Sequence, residues 1–173
     1  GTVTKPQLMK ERFARLFAAL GVGADAVQAN TLYFTTLCGR GYLLPGAEDF
    51  LRSLKACGKI FLITNGTPAA QYGRLRSLGL EHFFDGIFIS DEIGFSKPDA
   101  RFFVYVLDKA GLQSGECAVI GDSLTSDIRG ANNAGILSIW YNAKGKIAEG
   151  AHPDHTARSY AMILEIVRSL GNE

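Results

Sequence analysis

Cysteine is scarce in this chain: 173 residues hold three, Cys38, Cys57 and Cys117, odd in number and far apart. No CxxC pair and no Cys/His cluster occurs. Neither a disulfide framework nor a thiolate metal site is expected, and a reducing, cytoplasmic setting is. Charge of one sign is lacking too, since 18 Lys+Arg against 17 Asp+Glu leave a formal net charge of +1. That balance gives no electrostatic footprint for a nucleic acid and none for an acidic membrane. No apolar run approaches the roughly 20 residues that a membrane helix needs, and no signal peptide is expected at the start of the chain. Repeats and low-complexity stretches are absent. The first residue is Gly1 rather than Met, so a natural start upstream of it is expected. What the chain does have is 47% hydrophobic residues and the length for one cored domain, or one domain with a small appendage.

Residues 4–20 read as a helix, with Thr4 as N-cap, Met9, Phe13, Leu16, Phe17 and Leu20 on one face and Gly21 as the stop. Residues 24–38 read as a second, with Val27, Thr31, Phe34 and Cys38 on one side. Gly39, Gly41, Pro45 and Gly46 form a breaker-rich junction, which sets 1–42 apart as an appendage and 43–173 as the core. In the core, helices over 46–57, 67–78, 99–110, 125–134 and 159–170 alternate with short apolar strands over 59–64, 86–90, 117–121 and 137–141. Thr67 and Pro68 stand at the N-cap and N1 positions of their helix. The last helix is expected to bury Met162, Ile163, Ile166, Val167 and Leu170. Apolar strands between amphipathic helices predict an α/β fold, a parallel sheet covered on both faces.

Ligands of such sheets bind beyond the carboxyl ends of the strands. After 59–64 come Thr64, Asn65, Gly66 and Thr67; after 86–90 comes a loop that ends at Lys97-Pro98; after 117–121 come Asp122, Ser123 and Asp127. Each piece has an ordinary reading. Asn65-Gly66 is a turn signal, Thr67 a helix cap, Lys97 a solvated loop lysine, and Asp122 and Asp127 fit a helix start. Jointly they supply a hydroxyl with backbone amides, a cation and two carboxylates. A hydroxyl at a helix start binds phosphoryl oxygens, a lysine neutralises a transferring phosphoryl group, and strand-end carboxylates hold Mg²⁺. Other distinctive residues read as packing: His82 beside Phe83 and Phe84, Trp140 in a strand, Tyr33 and Phe34 on a helix. His152 and His155 read as a surface loop.

LITNG (62–66), GFSKPD (94–99) and GDSLTSD (121–127) resemble, in order and context, the second, third and fourth motifs of the haloacid dehalogenase superfamily of phosphohydrolases. The resemblance implies a three-layer Rossmann-like core over 43–173 and makes 1–42 part of a helical cap. It implies that Thr64, Lys97 and Asp127 are catalytic, that Thr64, Asn65, Gly66 and Lys97 bind phosphate, and that Asp122 holds Mg²⁺. The stretch TNGTPAAQYGRLRSLGL looks like the nucleoside-monophosphate phosphatases, similar to pyrimidine 5′-nucleotidases, with sugar-phosphate phosphatases as the rivals. The dehalogenases of the superfamily do not use Mg²⁺, and the GDS at 121–123 speaks against them. A receiver domain also joins Asp, Thr and Lys at a sheet edge, but there the acidic residues come first. The implied partner is a small phosphorylated metabolite, not a nucleic acid or a membrane.

The superfamily's first motif, Asp-x-Asp-x-Thr at the end of the first strand, supplies the nucleophile and the general acid and base. No Asp-x-Asp occurs in this chain. That strand would lie in the sheet centre, between 59–64 and 117–121. The expectation is therefore an α/β core without its central first strand, inactive by itself, with those two strands unpaired unless a missing N-terminal segment or a complementing chain fills the gap. A non-catalytic binding or scaffolding fragment is the alternative.

Overall fold

The structure, a computed structural model, describes residues 5–171; Thr4, the expected first cap, lies outside them. Two helices open the chain, α1 (Lys5–Leu20) and α2 (Ala26–Gly39). Asp25 caps α2, its carboxylate accepting from the Val27 and Gln28 amides at 2.8 and 3.0 Å, which satisfies two donors that a helix start leaves unpaired. Arg12 ties the pair together: its guanidinium donates twice to Asn30 Oδ1, at 3.0 and 2.8 Å, and lies 4.3 Å from the centre of the Tyr33 ring. The expected apolar faces are incompletely buried, Leu20 being 65% and Val27 75% exposed.

The pair is seated on the rest of the molecule where α2 meets α4 (Pro68–Leu78). There the backbones nearly touch. A Cβ on Gly73 would lie 1.9 Å from the Cys38 carbonyl oxygen, so no side chain fits. Arg74 Nε donates to the Leu37 carbonyl at 3.3 Å, and the Gly41 amide donates to Ser77 Oγ at 2.8 Å.

Along with α4, the core contains α3 (Ala47–Lys55), β1 (Phe61–Thr64), β2 (Gly86–Ile89), α5 (Ser90–Ile93), α6 (Ala100–Ala110), β3 (Ala118–Gly121), α7 (Arg129–Ala134), β4 (Leu137–Tyr141), β5 (His155–Ala157) and α8 (Tyr160–Leu170). Every pairing is parallel, β1 with β2 and β3 with β4 with β5. Apolar side chains alternate across the strands as the two-residue period demands. Ile63, Phe88 and Val119 join Phe102, Phe103 and Ala131 of α6 and α7, whereas Leu62, Ile87 and Ile120 pack among residues of α3, α4 and α8. Helices thus cover both faces of parallel strands, the three-layer α/β core expected from the sequence.

The strands form two sheets, not one. Among the described residues β1 and β3 share no ladder. Side chains join the halves instead: Ile63 and Phe88 share a cluster with Val119, and α3 gives Leu51 to one half and Phe50 to the other. The unpaired edges fall where the sequence places its gap.

Two expectations are corrected. Residues 155–157 are a strand rather than a surface loop, with His155 paired to Ile139. The preceding Asp154 is pinned to β4: its carboxylate accepts the Ser138 amide at 2.8 Å and the Ser138 hydroxyl at 2.7 Å. Met162 is 40% exposed, because Ile163, at 1%, takes the inward position of that turn.

Three carboxyls are held below their ordinary range: Asp85 by the Lys55 ammonium, Asp99 by Arg101 and Asp154 by the Ser138 hydroxyl. A depressed carboxyl stabilises the fold above its unfolded value, and that stability is lost as pH falls through the folded value. Ser138→Ala removes the hydroxyl donor, at a cost on the order of 1 kcal/mol at neutral pH. The melting-temperature difference between parent and variant narrows as pH falls from the unfolded carboxyl value of about 4 through the depressed folded value, below which Asp154 is protonated in both states. Thermal melts from pH 7 to pH 3 check this, and an unchanged difference would contradict it.

Candidate active site

The carboxyl ends of β1 and β3 and the loop before α6 meet around Lys97. Its ammonium donates to the Ile63 carbonyl at 2.8 Å and pairs with Asp127 Oδ1 at 2.8 Å, the two side chains being 9% and 11% exposed. An ammonium has three donors. Two are spent on Ile63 and Asp127, and the third has no partner among the described residues.

Asp127 lies in a π-helical turn, Leu124–Ile128, in which the Asp127 and Ile128 amides both donate to the Ser123 carbonyl, at 2.9 and 3.1 Å. Such single-turn widenings are frequent at functional sites. The turn folds the carboxylate back over the end of β3, where Oδ2 accepts the Ser123 amide at 3.2 Å. Gly121 permits this return, since a Cβ there would lie 2.4 Å from Asp127 Cβ.

Asp122 is exposed, and its carboxylate accepts no hydrogen bond among the described residues. Its carbonyl accepts from Trp140 Nε1 at 3.1 Å. Trp140 is core, as read from the sequence, at 3% exposure, and it also braces the site. Thr64 is half-buried with its hydroxyl uncommitted among the described residues. Asp99 is spent on Arg101, whose side-chain hydrogen bonds and amide lower its carboxyl to about 2, so it is no proton acceptor at neutral pH.

The Gly66 amide, expected as a phosphate donor, here donates to Ser90 Oγ at 3.1 Å. Ser90, read only as the last residue of a strand, is 7% exposed and starts α5. Thr67 holds the N-cap position of α4, but its hydroxyl caps nothing, and its Oγ1 is buried without a partner among the described residues. A cavity of about 560 Å³ opens beside these groups, lined by Met9, Thr67, Ser90, Asp91, Phe95 and Ser96.

No group of three or more His, Cys, Asp and Glu among the described residues is placed to hold a metal. Mg²⁺ does not need one, because it is commonly held by one or two carboxylates, with phosphate and water completing its shell. The uncommitted Asp122 carboxylate fits that demand. Asp127, occupied by Lys97 and the Ser123 amide, has less to offer.

Residues 3–135 match the family model of haloacid dehalogenase-like hydrolases. The pyrimidine 5′-nucleotidase PynA of Streptococcus pneumoniae is 38% identical over 166 residues, which cover 94% of this chain and 70% of that protein. The pyrimidine 5′-nucleotidase YjjG of Escherichia coli is 35% identical over 161 residues, 92% of this chain and 71% of that protein. The crystal structure of the HAD-hydrolase YfnB from Bacillus subtilis, bound to magnesium, superposes with a TM-score of 0.87 at 32% identity and covers 96% of this chain and 74% of that one.

Proposed function

This chain belongs to the haloacid dehalogenase-like hydrolases, and from that membership we propose that it is the larger part of a Mg²⁺-dependent phosphomonoesterase acting on nucleoside monophosphates. The observation that carries the reading is Lys97, held by Ile63 and Asp127 with one donor to spare among the described residues. Thr64 and the Asn65 amide hold the phosphoryl oxygens. Lys97 neutralises charge as the phosphoryl group passes to a carboxylate and forms an aspartyl phosphate. Asp127 keeps the ammonium aimed. Asp122 is the residue that would hold Mg²⁺, which when bound adds positive charge against the phosphoryl oxygens.

The nucleophile and the general acid belong to an Asp-x-Asp segment that is not in these 173 residues. Support for a separate segment comes from the unpaired edges of β1 and β3. In this reading, residues 1–42 are part of a cap over the cavity beside Ser96, where the leaving group sits. No helix among the described residues is long and apolar enough to cross a membrane, and a cytoplasmic site of action goes with a small phosphorylated metabolite as partner.

The test is a panel of phosphomonoesters offered to the intact gene product with and without Mg²⁺. Uridine and thymidine monophosphates are turned over fastest, and chelation abolishes turnover. Faster turnover of sugar phosphates would move the assignment to the rival class. No turnover of any phosphomonoester would defeat it.

A further inference from the structure

Lys97 is anchored at both ends of its side chain. The ammonium end is fixed by Ile63 and Asp127. At the other end, both backbone polar groups go to one side chain from the turn that follows β1: the Lys97 amide donates to Asn65 Oδ1 at 2.9 Å, and Asn65 Nδ2 donates to the Lys97 carbonyl at 2.9 Å. Close by, Asn133 Nδ2 donates to the Pro98 carbonyl at 3.0 Å, so a second carboxamide, from α7, holds the next residue.

We infer that the Asn65 carboxamide is a positioning residue that fixes the Lys97 backbone and thereby aims its ammonium at the phosphoryl group. The inference rests on the phosphoryl-transfer reading above. A lysine stem is long and flexible, and holding it in one conformation costs rotamer entropy. A two-point clamp on its peptide sets the origin of the stem, and the Asp127 pair sets its tip. Only an amide side chain can do this in one step, because it carries an acceptor and a donor side by side. Asn65 also begins the segment that leads to α4, so clamp and phosphate-binding amide share a residue. Displacement of one then displaces the other.

The experiment is a double-mutant cycle in the intact gene product: parent, Asn65→Ala, Lys97→Ala and the double variant. Two readouts are taken, turnover of the preferred phosphomonoester and affinity for inorganic phosphate by calorimetry. Asn65→Ala lowers kcat about 10- to 100-fold, the scale of a misplaced catalytic group, with a smaller change in KM. In the Lys97→Ala background the same substitution costs less than about twofold, because the group it aims is gone. Equal losses in both backgrounds, with the parent active, would overturn the clamp and leave the functional reading standing. A parent without phosphomonoesterase activity whose phosphate affinities are non-additive would do the reverse. Asn65→Ser, run through the same cycle, covers the case in which the alanine variant does not fold.

Discussion

Replacing Lys97 by alanine in the intact gene product lowers kcat by roughly 10²–10³, the loss that follows removal of one preorganised charge-stabilising group. The magnitude follows from placement. Lys97 reaches the strand ends already held by Ile63 and Asp127, so it does not reorganise as charge develops. Its side chain is 9% exposed, which weakens solvent screening. The same burial has a second effect. Without Lys97 the Asp127 carboxylate is left without its cation, and breaking a buried pair from one side costs about 3–5 kcal/mol. Lys97→Ala is therefore less stable as well as slower. Asp127→Asn in that background removes the stranded charge, so thermal stability recovers while turnover does not. Steady-state kinetics and thermal melts on the single and double variants separate the two effects. Parental turnover in Lys97→Ala would remove the lysine from the mechanism.

Residues 1–173 by themselves show no phosphomonoesterase turnover, whereas a polypeptide that joins them to a strand ending in Asp-x-Asp turns over in the ordinary enzyme range of about 1–10³ s⁻¹. In the proposed mechanism Thr64 and Lys97 hold and neutralise the phosphoryl group, Asp127 is engaged by Lys97 and the Ser123 amide, and the attacking carboxylate is the one that the Asp-x-Asp segment supplies. A parallel strand lies about 4.8 Å from its neighbour, and one seated between β1 and β3 would complete a ladder on each side. Each buried backbone group that gains a partner there is worth roughly 1–3 kcal/mol, so the joined protein also melts higher. Turnover by 1–173 at the rate of the joined protein would sink the proposal and bring forward a different nucleophile within this chain.

The sequence carried much of the fold and of the site's placement because an open parallel sheet gathers its polar groups at the strand ends. KIFLIT, CAVIG and LSIWY are apolar runs that only a covered parallel sheet accommodates, and each of the first two delivers its polar residues where the run stops. Asp127 follows CAVIG and Lys97 follows the run at 86–90, so the meeting of the two at the strand ends was legible in the same pattern. What escaped lies in groups without periodicity. β5 is three residues, His155–Ala157, with two polar side chains, and it becomes a strand only because Asp154 is pinned to Ser138. Ser90 looked like a strand terminus, and its bond to the Gly66 amide depends on tertiary placement. Asn65 looked like half of a turn signal, and nothing local indicates that its amide reaches a residue 32 positions away. Val27 failed for the opposite reason, since a helical period marks a face but not whether anything covers it.

The seat of α2 on Gly73 has a bearing on the cavity that neither element touches through its own chemistry. Met9 lines that cavity from α1, α1 is carried by α2, and α2 rests backbone to backbone on α4. The height of Met9 over the cavity is therefore gauged by a missing methyl group on another helix. A residue larger than glycine at position 73 would act as a shim, lifting Met9 away from Phe95 and Ser96 without altering Thr64, Lys97 or Asp122.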